Sequence, residues 1–234
     1  MPEVTAIILA AGLSRRMGAL NKLLLPVGDV PLIRKMVDVY STAVGSVLVV
    51  TGHQASEVET VLAGSSVKTV FNTEYRNGQP TSVACGLRAA SNADAVLIGL
   101  GDQPLLSADD IHALLVTHFS ADRSRISIPM NGDQRGNPIV VPDNLFARLL
   151  ADPKSPGCRE FTRTHPEHVQ FHPLASAGYL YGPGHPRGLR RPQSRNAGEN
   201  HMQTIRQLAA RLRQKFTLTP QQADHLATIK FPCC

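Results

Sequence analysis

The sequence predicts an α/β protein of three layers, a mostly parallel sheet with helices on both faces. Short runs rich in Val, Ile and Leu alternate with longer stretches of helical character, the pattern of strands joined by crossover helices. The 234 residues, 42% of them hydrophobic, suffice to bury one substantial core.

The elements follow in order. Residues 4–9 read as a first buried strand, and residues 32–42 as a helix opened by Pro31, whose fixed φ suits a helix start. A strand over 46–50, a helix over 55–62 and a strand over 67–70 come next. Pro80 precedes a helix over 82–90, and a strand over 95–99 leads to Ser107, a side chain suited to cap a helix over 108–118. Strand-like pieces at 125–128, 138–141 and 169–172 complete the pattern, and there are no internal repeats. In an open sheet of this kind, ligands bind beyond the carboxyl ends of the strands. The loop after Leu9, the Thr51-Gly52-His53 loop and the Gly101-Asp102 turn all fall there.

Charge and cysteine usage exclude several classes. The net charge of +6 suggests nucleic acid, yet residues 1–181 carry 15 Lys/Arg against 16 Asp/Glu, and residues 182–234 carry 9 against 2. The excess is confined to the tail, which lacks an aromatic platform or a known binding module, so nucleic acid is not the expected partner. Residues 4–11 are too short for a signal or a membrane span, and no membrane association is expected. Cysteines at 85, 158, 233 and 234 form no disulfide framework, and Cys85 reads as a small core residue of a helix. A soluble, cytoplasmic protein is expected. The nine histidines show no metal-ligand spacing, and Cys233-Cys234 carry no assignment.

Two segments carry chemistry. Leu9-Ala10-Ala11-Gly12-Leu13-Ser14-Arg15-Arg16-Met17-Gly18 follows the first strand, with Lys22 four residues on. Small residues let the backbone approach a ligand closely, and successive N–H groups with cations beside them make an anion nest suited to triphosphate. It is neither a Walker loop nor a Gly-x-Gly-x-x-Gly dinucleotide loop. Gly99-Leu100-Gly101-Asp102-Gln103-Pro104 ends another strand with a carboxylate on a turn, placed to be a Mg²⁺ ligand alongside phosphate oxygens and water.

These segments resemble the MobA-like nucleotidyltransferases of molybdenum-cofactor synthesis, whose fold is that of nucleotide-diphospho-sugar transferases. Their first motif reads Leu-Ala-(Ala/Gly)-Gly-x-Ser-x-Arg-Met-Gly followed by Lys. The Gly-Asp-Gln-Pro spelling looks most like the molybdenum cofactor cytidylyltransferases. The resemblance implies that Leu9, Ala10, Ala11, Gly12, Arg16 and Lys22 hold CTP and that Asp102 binds the metal. It implies that Gly78 and Ser82, within Asn77-Gly78-Gln79-Pro80-Thr81-Ser82, contact the base. Arg135 and Asn137 of Arg135-Gly136-Asn137-Pro138 would face the phosphate of the acceptor, a role that suits a guanidinium. Arg16, Lys22 and Asp102 are then the catalytic set. The implied partners are CTP, the molybdopterin cofactor and a molybdoenzyme or its chaperone. A cytidylyltransferase for another small phosphate, and a nucleotide-binding pseudoenzyme, are the alternatives.

The resemblance covers a domain over 1–181 and stops there. The family shows Asp-(Ile/Leu)-Asp-Thr-Pro-Glu-Asp at this point, the source of a second metal-binding carboxylate. This chain reads Gly182-Pro183-Gly184-His185-Pro186-Arg187-Gly188-Leu189-Arg190-Arg191-Pro192, and no acidic residue lies between Glu167 and Glu199. Codons GGN-CCN-GGN-CAY-CCN-CGN-GGN-CTN-CGN-CGN-CCN, read one base later, can spell Asp-Leu-Asp-Thr-Pro-Glu-Asp-Tyr-Ala-Ala. The expectation is a frameshift near codon 181, with residues 182–234 an atypical basic tail.

Overall fold

The computed structural model describes residues 2–13, 21–151 and 158–180. In chain order the elements are β1 (Val4–Leu9), β2 (Pro26–Val27), β3 (Val30–Pro31), α1 (Leu32–Ala43), β4 (Ser46–Thr51), α2 (Ala55–Leu62), β5 (Lys68–Phe71) and α3 (Gln79–Ala89). They continue with β6 (Ala95–Leu100), α4 (Ala108–Ser120), β7 (Ile126–Asn131), β8 (Gln134–Arg135), β9 (Ile139–Pro142), α5 (Phe146–Ala151), α6 (Cys158–Thr164) and β10 (Val169–Pro173). One unit gathers every described residue except Pro26–Val30, and that short piece carries β2 with Gly28 at φ 69° in the turn toward β3.

The main sheet has the order β10-β7-β9-β6-β1-β4-β5, with β8 paired to β7. β1 is central and parallel to both β4 and β6, and β5 extends the parallel set. β9 runs antiparallel to β6 and to β7, and β10 returns to the parallel direction beside β7. The expected mostly parallel sheet is therefore present, with β9 and the short β8 as its reversed members.

Helices cover both faces. α1 packs with α2 and α4, whereas α3 packs with α5 and α6. Inward residues of α1 at 33, 36, 37 and 40 follow helical spacing, and Ile33, Met36, Val37 and Tyr40 are fully buried. Beneath α3, the side chains of Ile7, Leu48, Val50, Val96, Ile98 and Val141 join Val83, Leu87, Phe146 and Leu149 in one core. Burying each such Leu, Ile or Phe contributes about 1.5–3 kcal/mol relative to leaving it in water. Ser107 caps α4 as its type predicts: its hydroxyl accepts from the Asp110 amide at 3.2 Å, and the Asp110 carboxylate accepts from the Ser107 amide at 3.0 Å.

Two element ends move by three residues from the sequence reading, the others by at most two, and Cys85 is less buried than expected. α3 begins at Gln79, three residues before the expected 82, because Pro80 in the first helical turn removes an N–H that would have no partner there. β7 runs from 126 to 131 instead of 125–128, since β8 and β10 both pair with its end. Cys85 is half-buried, packed against the core cluster and also lining a cleft of about 400 Å³ with Phe71, Asn72, Glu74 and Arg88. Among the described residues Cys158 is the buried thiol.

Candidate active site

The strand order reverses between β1 and β6, because the chain builds β4 and β5 on one side of β1 and then crosses to the other. A crevice opens at such a switch point, outside the carboxyl ends of the two strands. Leu9 and Leu100 are register partners at those ends, and the Gly101 amide extends the ladder by donating to the Leu9 carbonyl at 3.2 Å. A Cβ at Gly101 would lie 3.2 Å from the tips of Leu23 and Ile33, a tight fit that favours a small residue in this turn. Asp102 is the first residue clear of the sheet.

Lys22 reaches the same point from the other direction. Asn21, buried, accepts the Leu23 amide on its side-chain oxygen at 3.1 Å, and the Leu24 amide closes a tight turn onto the Asn21 carbonyl at 3.0 Å. Leu23 packs inward toward Gly101, which turns the neighbouring Lys22 outward. Its ammonium pairs with the Asp102 carboxylate. The two residues are partly exposed, with side chains 43% and 25% accessible.

The loop between them is only partly a nest. The Ala10 amide donates to the Val50 carbonyl at 2.9 Å, so that N–H is engaged within the sheet. Ala10 and Ala11 are buried and Gly12 is exposed. The amides of Ala11, Gly12 and Leu13 have no acceptor among the described residues, which leaves three successive donors at the strand end. Ser14, Arg15, Arg16, Met17 and Gly18 lie outside the described residues.

On the β4 side, the His53 amide donates to the Ala11 carbonyl at 3.4 Å, and Gly52 sits against Ala11 and Tyr75. Gln54 holds φ 51°, ψ 46°, a left-handed conformation uncommon for its type, at the entrance to α2. Gly78 is exposed with φ 105°, where glycine is favoured, immediately before α3. Ser82 is buried, and its hydroxyl receives the Asn72 side-chain amide at 3.0 Å. Ser82 thus braces the segment. Asn72, which sequence reasoning missed, also donates to Thr81 at 2.9 Å and accepts the Glu74 amide at 3.0 Å. The signal was present: a lone Asn directly after a strand, nine residues before two hydroxyls.

The expected acceptor residues part company. Arg135 is exposed on β8 with its guanidinium 4.7 Å above the Phe171 ring, a cation–π contact that holds it over β10 rather than beside Asp102. Asn137 is half-buried, and its amide donates to the Tyr179 carbonyl at 2.8 Å.

Among the described residues no three His, Cys, Asp or Glu side chains come together to form a metal cage. Asp102 nevertheless fits a hard divalent ion of the Mg²⁺ kind, which takes one or two carboxylates and fills its remaining positions with phosphate oxygens and water. A cation, a carboxylate and backbone donors without an acceptor among the described residues, at one strand-end crevice, can hold a polyphosphate and neutralise charge on it.

Comparison with known proteins identifies the fold and its family. Residues 6–169 match the model of the MobA-like NTP transferase domain. Nicotine blue oxidoreductase of Paenarthrobacter nicotinovorans is 30% identical over 175 residues, covering 71% of this chain and 84% of that protein. The bifunctional protein GlmU of Pseudoalteromonas atlantica is 30% identical over 126 residues, and the match spans 53% of this chain but only 28% of GlmU. A nucleotidyl transferase from Methanothermobacter superposes with a TM-score of 0.63 at 28% identity, over 75% of this chain and 88% of its own. A cytidylyltransferase from Leptospira borgpetersenii shares the fold, with a TM-score of 0.58 at 18% identity over 75% of this chain and 78% of its own. With the matched region spanning the sheet from β1 to the start of β10, this chain belongs to the MobA-like NTP transferase domain family.

Proposed function

We propose that the reaction is cytidylyl transfer to the molybdopterin cofactor. Its terminal phosphate oxygen attacks the α-phosphorus of CTP, a new P–O bond forms, the α–β bridge breaks, and pyrophosphate leaves. The Lys22–Asp102 ion pair at the switch point carries this reading. Lys22, Arg16 and the amides of Ala11, Gly12 and Leu13 would hold the triphosphate, and Asp102 would hold Mg²⁺. When bound, that ion supplies neutralisation of phosphate charge. A phosphate dianion is already a nucleophile, so no general base is needed. Gly78 and the Asn72-braced segment receive the cytosine and ribose, and Asn137 lies on the acceptor side, with Arg135 able to join only by leaving Phe171.

The name of one relative is that of an oxidoreductase, so the scaffold alone does not settle the chemistry. The first loop spells Ala10-Ala11-Gly12 and not the dinucleotide Gly-x-Gly-x-x-Gly, which favours triphosphate over a redox dinucleotide. The reading extends to a cytoplasmic enzyme that hands its product to a molybdoenzyme or its chaperone. No helix among the described residues is long and apolar enough to cross a membrane.

A second reading, a nucleotide-binding pseudoenzyme, is favoured by the loss of the acidic segment after Tyr181. The test supplies molybdopterin cofactor, methylerythritol phosphate or no acceptor with Mg²⁺ and CTP, and measures pyrophosphate. Release with the molybdopterin cofactor alone supports the proposal. Release with the sugar phosphate moves the acceptor, and binding of CTP without release supports the pseudoenzyme. Equal displacement of CTP by GTP at the same concentration overturns the choice of base.

A further inference from the structure

Gln103 follows the metal-binding candidate in the turn, yet it points into the protein: it is 1% exposed. Its side-chain Nε2 lies 3.1 Å from the Asn137 carbonyl, 3.3 Å from that of Gly178, 3.2 Å from that of Tyr179 and 3.4 Å from that of Leu180. Four carbonyl oxygens around one nitrogen fix the orientation of the amide, since only the NH₂ end can face them. The two chain segments that supply those carbonyls also bind each other. The Asn137 amide donates to Tyr179, and Gly136 lies so close to Tyr179 that a Cβ there would be 2.6 Å from the tyrosine Cβ. Tyr179 is tied down in turn by its hydroxyl, which donates to the Asp110 carbonyl at 2.5 Å.

We propose that Gln103 is the positioning residue that sets the Asn137 segment, and with it the acceptor, against the Asp102 turn. The role rests on the proposed transfer reaction, because only a two-substrate site needs its halves held in register. Side chain and carboxylate are adjacent in sequence, so a shift of Gln103 displaces residues 136–137 relative to Asp102 without touching Lys22 or the loop after Leu9. A buried amide achieves this where alternatives fail. Leucine fills the space and removes the donor that the Asn137, Gly178 and Leu180 carbonyls share, and an ionised glutamate would turn an oxygen toward them.

The test compares wild type with Gln103→Leu and Gln103→Glu in two measurements. In amide hydrogen exchange, Gln103→Leu should speed residues 136–137 and 178–180 at least tenfold while β1 and β4 keep their protection. In steady-state transfer, the KM for the phosphate acceptor should rise about tenfold while the KM for CTP stays within threefold. Gln103→Glu can donate only when protonated, so its defect should grow with pH, whereas that of Gln103→Leu should not. Unchanged exchange at 136–137 and 178–180 overturns the proposal, as does a parallel rise in both KM values. If wild type releases no pyrophosphate with any acceptor, the transfer reading fails, and the exchange data alone decide whether Gln103 holds the two segments.

Discussion

The Lys22 ammonium and the Asp102 carboxylate, 80 residues apart in the chain, form an ion pair at the point where β1 and β6 end side by side. Both side chains are partly in water, so the pair itself adds little stability, of the order of 0–1 kcal/mol. Its consequence is placement. Two opposite charges that would otherwise sweep freely are held over the strand ends, where a polyphosphate and its counter-ion can exchange with them.

Lys22→Ala should weaken CTP binding and transfer together, because the charge faces phosphate in both the ground state and the transition state. Loss of one charge-assisted hydrogen bond costs about 1.5–3 kcal/mol, or roughly 10- to 150-fold in affinity. A titration of CTP measures it, and affinity within twofold of wild type would take Lys22 out of the site.

Asp102→Asn keeps the size of the side chain and removes its charge. Nucleotide binding should lose its dependence on Mg²⁺, with an unchanged circular dichroism spectrum. A sharp fall in melting temperature with metal dependence retained would instead mark Asp102 as a turn residue alone.

Acid should destabilise the domain through His118. Its ring nitrogen meets the buried Ser127 hydroxyl at 2.8 Å, and the same hydroxyl meets His172 at 3.0 Å and receives the Gln170 amide at 3.0 Å. Burial, with the neighbouring His172 and Arg123 adding to it against Asp122, pushes His118 down from 6.5 to about 4. Burial also lowers His172. The folded state therefore takes up protons less readily than the unfolded chain. The stabilisation is complete above about pH 6.5 and is lost as pH falls toward 4, with about 2 kcal/mol gone by pH 5. Urea unfolding at pH 7 and pH 5 measures the loss, and His118→Asn should shrink the difference between the two. Equal wild-type stability at both values would refute this account.

The chain as written should transfer cytidylyl slowly. A Mg²⁺ site left with Asp102 alone neutralises less phosphate charge, and Gly184, where the resembling family has its second aspartate, offers no ligand. A gene advanced by one base after codon 181 should restore Asp-Leu-Asp-Thr-Pro-Glu-Asp and raise metal-dependent pyrophosphate release. Full activity of the present chain, or codons that cannot spell the acidic segment, would defeat the expectation.

The sequence by itself determined the alternation of strands and helices, because buried parallel strands are written in Val, Ile and Leu and their helices carry spaced apolar faces. It also singled out Lys22 and Asp102, since a cation after a small-residue loop and a carboxylate after a strand are readable locally. What residues separated by long stretches of chain do to each other was decided by the tertiary structure. Ala10 lost its amide to Val50 only once β4 lay beside β1, and Ser82 turned inward because Asn72 reached it across the edge of the sheet. Arg135 came to rest on Phe171 because β10 returned beside β7. Gln103 reads in sequence as one more turn residue. Its partners lie 34 to 77 positions away, and a hydrogen bond over that separation has no local signature.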